Sequence, residues 1–333
     1  MSWLSLADIA EMTGGSLLGG RTQNADVNAV SIDTRKVQPD DLFIAIKGER
    51  FDAHNFVDGL EGKVAGALVS KEIDCNVPQV LVEDTKLALA QLALAWRKRF
   101  KEVVIGLTGS NGKTTLKEMI SAILSQEGNV LATLGNLNND IGMPLTLLRL
   151  REEHDYAVIE MGANHFGEID FLADIAKPNI AVINNAGPAH LEGFGDIEGV
   201  SRAKGEIFNG LVDDGIAIVN ADDDYADYWK GLNSDKQVIT FGLNNSADIS
   251  GDYKGNGLLL IKINQSQSHP RSQTQQQVQL NLQGKHNAMN ALAATAVATA
   301  LGVELQTVKI GLESLAVVPG RLAMVEGLHG SKI

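Results

Sequence analysis

One glycine-rich segment constrains this sequence more than any other: residues 107–116 (LTGSNGKTTL), which separate two contrasting patterns. The apolar run before it, residues 103–107 (VVIGL), is typical of a strand that is buried on both faces. After it, five apolar residues recur at the spacing of one helix face: Leu116, Met119, Ile120, Ile123 and Leu124. The segment therefore predicts a strand, a tight glycine loop and a helix that begins at the loop.

This arrangement is typical of a phosphate-binding loop. Glycines let backbone N–H groups turn toward phosphate oxygens, and the positive end of the helix dipole adds to the attraction. Lys113 can reach the β- and γ-phosphates, and the Thr114 hydroxyl can hold Mg²⁺. The predicted ATP contacts are Thr108, Gly109, Ser110, Asn111, Gly112, Lys113, Thr114 and Thr115.

The loop departs from the generic P-loop by one element. Leu107 stands where that pattern has its first glycine, so the shorter pattern TGxNGKT remains. The alternative is a glycine turn that only joins strand to helix. The coincidence of strand, loop, Lys-Thr pair and helix favours phosphate binding.

Further apolar runs continue a strand–helix alternation after the loop. They are residues 157–160 (AVIE), 180–184 (IAVIN), 216–220 (IAIVN) and 238–241 (VITF). Such nearly continuous apolar runs are typical of parallel strands covered on both faces. They predict a doubly wound, mostly parallel α/β domain that binds nucleotide.

The regions on either side of this alternation look different. Before it, Ser5 can cap a helix over residues 6–12, and residues 41–46 and 64–69 are predicted strands. Near the end, the polar residues 265–277 predict a mobile loop, and residues 287–301 predict a helix. The expected domains are a small N-terminal α/β substrate domain (1–84), the P-loop domain (85–318) and a hinge with a stub of a further domain (319–333).

Composition sets the class of protein. The net charge of −13 argues against a nucleic-acid groove, which needs clustered Lys and Arg. No apolar run approaches the roughly 18 residues of a membrane helix, and the N-terminus lacks the pattern of a signal peptide. Cys75 is the single cysteine, so no intrachain disulfide can form. We expect a cytoplasmic protein without membrane insertion.

Five segments, in order, resemble the Mur ligases: residues 108–115 (TGSNGKTT), 135–144 (GNLNNDIGMP), 159–163 (IEMGA), 189–195 (AHLEGFG) and 203–208 (AKGEIF). The first is shared with folylpolyglutamate synthases, whereas IEMGA and AHLEGFG discriminate. The resemblance spans about residues 30–322. Within the family, the sequence looks like the members that add D-alanyl-D-alanine to UDP-N-acetylmuramoyl-tripeptide.

The resemblance implies an ATP- and Mg²⁺-dependent amide ligase of peptidoglycan precursor synthesis. ATP would phosphorylate the terminal carboxylate of the tripeptide, and the amine of D-alanyl-D-alanine would attack the acyl phosphate. Two alternatives stay open. One is a sister ligase that adds the preceding diamino acid, and the other is a nucleotide-binding fragment without catalysis.

The resemblance also implies a set of metal ligands. Glu160, at the end of a predicted strand, would join Thr114 in holding the Mg²⁺ that bridges the phosphates. His190 would help to hold a second Mg²⁺, and Lys204, if carbamylated, would also bind metal. A surface acid, a hydrogen-bonded histidine and a solvated lysine are the structural alternatives. Lys113, His190, Lys204 and Asn139 are the expected catalytic residues.

Other expected contacts are polar. Asn287 and Asn290, in the segment GKHNxxN, would read the adenine, although Asn residues there could also cap a helix. Arg321 would lie close to the ATP phosphates. Asn136, Asn138 and Asn139 would contact the reacting phosphate or the peptide carboxylate, without a choice among them. In the first domain, the expected contacts to the UDP substrate are Ser31, Thr34 and Arg35.

Members of the family carry a third, Rossmann-like domain after the PGR segment, and this sequence stops twelve residues past Arg321. From the resemblance, we expect that domain to be absent, the chain alone not to ligate at a useful rate, and the protein to be a monomer.

Overall fold

The structure, a computed structural model, describes residues 4–18, 25–264 and 274–315. The predicted loop at 265–277 lies mostly outside these residues, and so do Arg321 and the whole segment 319–333.

The described strands, in chain order, are β1 (Leu4–Ser5), β2 (Ser16–Leu18), β3 (Asp26–Val27), β4 (Ala29–Ser31), β5 (Asp41–Ile44), β6 (Gly66–Val69), β7 (Gln79–Leu81), β8 (Val103–Thr108), β9 (Val130–Ala132), β10 (Tyr156–Glu160), β11 (Ile180–Ile183), β12 (Ile216–Asn220), β13 (Gln237–Gly242), β14 (Ile249–Gly255), β15 (Leu258–Ile263) and β16 (Gln275–Gln279). The α-helices are α1 (Leu6–Thr13), α2 (Thr85–Arg97), α3 (Lys113–Leu124), α4 (Gly142–Leu147), α5 (Glu168–Ala176), α6 (Leu191–Phe194), α7 (Ile197–Gly205), α8 (Ala226–Leu232), α9 (Lys285–Ala300) and α10 (Leu305–Ser314). Short 3₁₀ helices cover Ala53–Phe56, Asp58–Leu60 and Glu206–Gly210.

The chain forms two compact units. Unit 1 comprises Met1–Lys101 and Asn136–Glu152, and unit 2 comprises Glu102–Gly135 and Glu153–Ile333. By this division α2, which follows the predicted boundary at residue 84, packs with unit 1. The three-domain division made from the sequence stays a prediction.

Unit 1 contains a five-stranded sheet in the order β2-β7-β6-β5-β4. Neighbours from β7 to β4 are parallel, and β2 pairs antiparallel with β7 at one edge. As predicted, Ser5 caps α1, its side chain accepting a hydrogen bond from the Asp8 N–H (3.1 Å).

Unit 2 is built on a nine-stranded sheet in the order β16-β15-β14-β13-β12-β11-β8-β10-β9. The seven strands from β14 to β9 are parallel, and β15 and β16 are antiparallel additions at one edge. The predicted mostly parallel α/β architecture is confirmed. The loop prediction was wrong over residues 275–277, which form part of β16 because they pair with β15.

The strand order makes β8 the switch point of the sheet. From β8 the chain crosses to β9 and β10 on one side and later continues to β11 on the other. Glu160 of β10 pairs with Leu107, and Ile183 of β11 pairs with Thr108, so the three strands end at nearly the same level. Crevices at such points are where open α/β sheets bind ligands.

Two helices with different burial cover β8 and its neighbours. The predicted apolar face of α3 is buried, from Leu116 to Leu124. Helix α9 packs against α3, β13 and β14, and it is buried along most of its length from Asn287 to Thr299. Its many alanines allow this close approach. None of the described helices is long and apolar enough to cross a membrane.

Trp229 of α8 provides a test of this packing. Its side chain is fully buried, and its indole N–H donates to the Ser201 carbonyl of α7 (3.0 Å). Trp229→Ala should lower the free energy of unfolding by about 3–5 kcal/mol, because it leaves a cavity and a carbonyl without its donor. Urea denaturation followed by circular dichroism measures the change. Tyr228→Ala, at an exposed neighbour, should change it by less than about 0.5 kcal/mol. Equal effects of the two substitutions would contradict the assigned packing.

Candidate functional site

The phosphate loop, defined here as Thr108–Thr114, has the conformation that its glycines predict. Gly112 has a φ of 77° and directly precedes the first turn of α3. This left-handed conformation is strained for residues with a side chain. A Cβ atom there would also lie 2.7 Å from Asn290 Oδ1 and 2.8 Å from Asn184 Nδ2. Residue 112 therefore has to be glycine on both grounds.

A segment after β11, residues 184–187, is hydrogen-bonded to the phosphate loop and is called the clamp below. The Asn185 carbonyl accepts from the Ser110 N–H (3.0 Å), and Asn185 Oδ1 accepts from the Asn111 N–H (2.9 Å). Ser110 Oγ donates to the Gly187 carbonyl (3.1 Å) and accepts from its N–H (2.9 Å). Because two loop N–H groups are engaged in this way, a phosphate would meet the loop mainly at the N-terminus of α3.

Asn184 and Asn185 were not singled out by the sequence reasoning, although the pattern contained a signal. Residues 180–184 were predicted to be a buried strand, and polar residues at the carboxyl end of a parallel strand next to β8 point at the ligand crevice. Asp223 was also missed. Its carboxylate supports the clamp by accepting from the Ala186 N–H (2.8 Å).

Thr108 and the two threonines of α3 have different surroundings. Thr108 is fully buried, and its hydroxyl donates to the Met161 carbonyl (2.9 Å), which ties β8 to the end of β10. Thr115 is buried, whereas Thr114 is half-buried at the start of α3. Thr114 is therefore the threonine better placed to meet a ligand at the loop.

Lys113 and Lys204 are two cations of unit 2 whose charges act on each other. Lys113 Nζ donates to the Gly109 carbonyl (2.7 Å), so its ammonium group lies over the loop. Lys204, in the last turn of α7, is only 2% exposed. Burial lowers the pKa of Lys204 to about 8, and the positive charge of Lys113 adds to the decrease, although the carboxylates of Glu206 and Glu168 oppose it. A substantial fraction of Lys204 is therefore neutral near pH 8.

Aromatic side chains shape the surroundings of Lys204. Its Nζ lies 5.6 Å from the ring centre of Phe194, and Phe166 packs edge-on against Phe194 with ring centres 5.5 Å apart. The Glu206 carboxylate accepts from the N–H groups of Gly167 and Asp170 at the start of α5. Lys204 is thus buried beside apolar rings. It forms no short ion pair with the neighbouring Glu206, because the Glu206 carboxylate is hydrogen-bonded to the N–H groups at the start of α5.

Glu160 lies at the end of β10 and is buried to 2% exposure, which makes it no surface acid. Its backbone N–H donates to the Thr133 hydroxyl (3.0 Å), and the Thr133 carbonyl accepts from Lys117 Nζ (2.5 Å). Lys117 is itself buried and also pairs with Glu118 (2.9 Å). These contacts fix the strand end that carries Glu160 beside the start of the phosphate loop.

Only two of the four residues predicted to hold metal, Glu160 and His190, are His, Cys, Asp or Glu. Among the described residues, no group of three or more His, Cys, Asp or Glu side chains comes together as a metal site. His190 is exposed, with a φ of 55°, just before α6. Mg²⁺ usually takes one or two carboxylates and completes its shell with phosphates and water. A buried Glu160 carboxylate together with Thr114 fits that kind of phosphate-bridged site.

A cavity of about 530 Å³ opens beside the loop within unit 2. Its walls come from the phosphate loop, the segment after β11, the residues just after β13, strand β14 and the start of α9: Asn111, Gly112, Asn185, Leu243, Asn244, Gly251, Asp252, Tyr253, Lys285, His286, Met289 and Asn290. Asn290 was predicted here. Asn287 does not line the cavity; its amide donates to the Gln283 carbonyl (2.8 Å) and its Oδ1 accepts from Asn290 Nδ2 (3.4 Å). The walls just after β13 and on β14 were not predicted from the sequence.

The predicted UDP-substrate residues lie in unit 1 at the end of β4. Ser31 Oγ makes hydrogen bonds with the backbone of Asp33, and the exposed Arg35 forms a bidentate pair with the Asp33 carboxylate (both 2.8 Å). Thr34 lies in the turn between them. These local contacts build a turn and leave the Ser31 and Arg35 assignments as predictions.

The three predicted asparagines also lie in unit 1, just before α4. Asn139 Oδ1 accepts from the Gly142 N–H (2.9 Å), and the Asn136 carbonyl accepts from the Asn138 N–H (2.8 Å). Asn136 and Asn139 are exposed, and Asn138 is half-buried. Their local role is thus to shape the turn into α4.

Comparisons with known proteins agree with this architecture. The model of the Mur ligase middle domain matches residues 107–298, and that of the Mur ligase family catalytic domain matches residues 26–97. Among curated relatives, the UDP-N-acetylmuramoyl-tripeptide–D-alanyl-D-alanine ligase of Escherichia coli is 47% identical over 93% of this chain and 69% of its own length. The enzyme of the same name from Bacillus subtilis is 37% identical over 99% of this chain and 71% of its own length.

Solved structures give the same result. A crystal structure of MurF from Acinetobacter baumannii superposes with a TM-score of 0.90 at 38% identity, covering 99% of this chain and 72% of that one. The MurF ligase of Thermotoga maritima in complex with ADP gives 0.77 at 31% identity, covering 88% of this chain and 67% of that one. The chain belongs to the Mur ligase family.

Proposed function

We propose that this chain serves the ATP-dependent addition of D-alanyl-D-alanine to UDP-N-acetylmuramoyl-tripeptide in peptidoglycan precursor synthesis. The observation that carries the proposal is the cavity that opens directly on the phosphate loop at the switch point of the sheet. The 47% identity with the E. coli enzyme of that specificity supports the choice of substrates. ATP and a UDP-linked precursor as substrates also favour a cytoplasmic location.

The proposed reaction forms one amide bond at the expense of one phosphoanhydride bond. The terminal carboxylate of the tripeptide attacks the γ-phosphorus of ATP, and ADP leaves. The amine of D-alanyl-D-alanine then attacks the acyl carbon, loses a proton and displaces inorganic phosphate. The carboxylate and the ATP phosphates are all anions, so cationic groups have to offset their repulsion.

The loop and Lys113 are suited to this electrostatic task. The N–H groups in the first turn of α3 and the positive end of the helix dipole favour an anion at that position. The Lys113 ammonium, now held by the Gly109 carbonyl, can exchange that contact for the β- and γ-phosphates. Bound Mg²⁺, held by Glu160 and Thr114 and with His190 as a further proposed ligand, would neutralise part of the phosphate charge.

The position of the cavity indicates how a bound nucleotide would be oriented. With phosphates at the start of α3, the base would enter the cavity toward Asn290, where Leu243, Tyr253 and Met289 offer apolar surface. Asn287 would act on the base only through Asn290, to which it is hydrogen-bonded. We keep Ser31, Thr34 and Arg35 as proposed contacts of the UDP substrate, and Asn136, Asn138 and Asn139 as proposed contacts of the reacting groups.

We also propose that Lys204 reacts with carbon dioxide. Its neutral amine adds to the carbon atom and releases a proton, which gives a carbamate with two metal-binding oxygens. The lowered pKa and the burial of Lys204 support this step, because only the neutral amine is nucleophilic.

A substrate panel separates the proposed function from its alternatives. With UDP-N-acetylmuramoyl-tripeptide and Mg²⁺-ATP, we expect phosphate release that depends on D-alanyl-D-alanine. Release with the UDP-linked dipeptide and a diamino acid instead would identify a sister ligase. Nucleotide binding without turnover on either substrate pair would support a non-catalytic module and contradict the proposal.

Lys113→Ala tests the phosphate loop. The variant should bind ADP at least about tenfold more weakly, because a charge-assisted contact to phosphate is worth roughly 1.5–3 kcal/mol. Isothermal titration calorimetry measures the affinity. The control is Lys230→Ala, which removes an exposed lysine of the same unit, paired with Asp227. Equal ADP affinity of Lys113→Ala and the control would contradict the assignment of Lys113 to phosphate binding.

The carbamate of Lys204 makes a pH-dependent prediction. With ¹³C-labelled bicarbonate, the protein should show a carbamate NMR signal that grows as the pH rises through about 8, where the neutral amine becomes abundant. Lys204→Arg should lack the signal, and Lys177→Arg, at an exposed lysine, should retain it. Absence of the signal from the unmodified chain at saturating bicarbonate would contradict the proposal.

A further inference from the structure

We propose that Asn184 is a positioning residue that couples the phosphate loop to helix α9, so that one nucleotide can engage both at once. The inference rests on the proposed nucleotide binding but assigns a role to a residue that makes no contact with the cavity itself. Asn184 directly follows β11 and is only 1% exposed.

The amide nitrogen of Asn184 makes the connection. Its Nδ2 donates to the Asn111 carbonyl in the phosphate loop (3.0 Å) and to Asn290 Oδ1 on α9 (2.8 Å). Both partners line the cavity. One side-chain NH₂ group thus joins the wall expected to face the phosphates to the wall expected to face the base, and its partner on α9 lies 106 residues farther along the chain.

The backbone of Asn184 is held firmly enough to serve as an anchor. Its N–H donates to the Thr108 carbonyl (2.9 Å), and its carbonyl accepts from Asn220 Nδ2 at the end of β12 (2.9 Å). Gly112 leaves the space that the bridge occupies, because a Cβ there would meet both Asn184 Nδ2 and Asn290 Oδ1. The bridge, the glycine and the strand end therefore form one packed arrangement.

The oxygen of the same amide shows what determines the orientation of the Asn184 side chain. Asn184 Oδ1 is buried and has no hydrogen-bond partner among the residues that the structure describes. Leaving a buried acceptor unsatisfied is unfavourable, and such groups in native proteins call for an explanation. Turning the amide over would place Oδ1 against the Asn111 carbonyl and Asn290 Oδ1, which are both acceptors. The observed orientation therefore keeps the two hydrogen bonds that Nδ2 donates.

The coupling has a distinctive consequence for ligands. Pyrophosphate would contact only the phosphate loop, and adenosine would contact only the cavity. Each fragment can therefore bind its own half of the site even if the two halves shift relative to each other. ADP needs both halves in one fixed relation. Loss of the bridge should therefore weaken ADP binding much more than the binding of either fragment.

The test measures ADP, adenosine and inorganic pyrophosphate on the same protein. Asn184→Ala should weaken ADP roughly tenfold, a loss in the range found for residues of one hydrogen-bonded network, and each fragment by less than about threefold. Calorimetry gives the ADP affinity, and displacement of ADP gives those of the fragments. Unchanged ADP affinity would overturn the inference, and so would an equal loss for all three ligands, because that is the pattern of a merely structural residue.

A double-mutant cycle isolates the bridge itself. If Asn184 and Asn290 act through their mutual hydrogen bond, the double variant Asn184→Ala/Asn290→Ala should bind ADP about as well as the weaker single variant. Additive losses would contradict the coupling. The matched control is Asn233→Ala, which removes another buried asparagine whose Nδ2 donates to Trp229; it should leave ADP affinity unchanged.

A second variant keeps the test decisive if Asn184→Ala does not fold. Asn184→Ser retains a small polar group, but its hydroxyl is too short to reach both acceptors, so the same selective loss of ADP binding is expected. Failure of the unmodified chain to bind ADP would refute the proposed function instead. The two failures are therefore distinguishable.

Discussion

Only four residues separate the end of β8 from the start of α3, and this short connection controls the rest of unit 2. The N–H groups in the first turn of α3 point toward the carboxyl edge of the sheet, and the helix dipole makes this edge favourable for an anion. Glu160 on one side, residues 184–187 on the other and the cavity beside Asn290 all gather at this edge, because β10 and β11 end level with β8.

The loop and the parallel strands could be predicted because their signals are local. Residues 103–124 contain a buried strand, the glycine turn and the amphipathic helix in one continuous stretch, and β8 and α3 lie where expected. Strand β12 coincides with its predicted run, and β10, β11 and β13 differ from theirs by a residue or so at the ends. Continuous apolar runs are informative here since both faces of a parallel sheet are covered.

The rest of the site depends on contacts between distant parts of the chain. Asn184 donates a hydrogen bond to Asn290, and Asp223 accepts one from the N–H of residue 186. The partners are far apart in sequence, so hydrophobic periodicity cannot predict that they pair. The cavity wall at Leu243 directly follows β13 and the wall at Tyr253 belongs to β14, which was not predicted as an individual strand from the sequence. The burial of Lys204 and its lowered pKa follow from tertiary packing around Phe194, so a helix pattern with Lys and Glu could only suggest a solvated face.

In the proposed arrangement, one nucleotide lies with its phosphates at the start of α3 and its base in the neighbouring cavity. A crystal structure of the chain with Mg²⁺ and a non-hydrolysable ATP analogue tests it most directly. We expect phosphate oxygens at the N–H groups of the first turn of α3 and at Lys113 Nζ, the metal at Glu160 and Thr114, and the adenine against Asn290. A nucleotide bound elsewhere on unit 2, or phosphates that do not touch the start of α3, would contradict it.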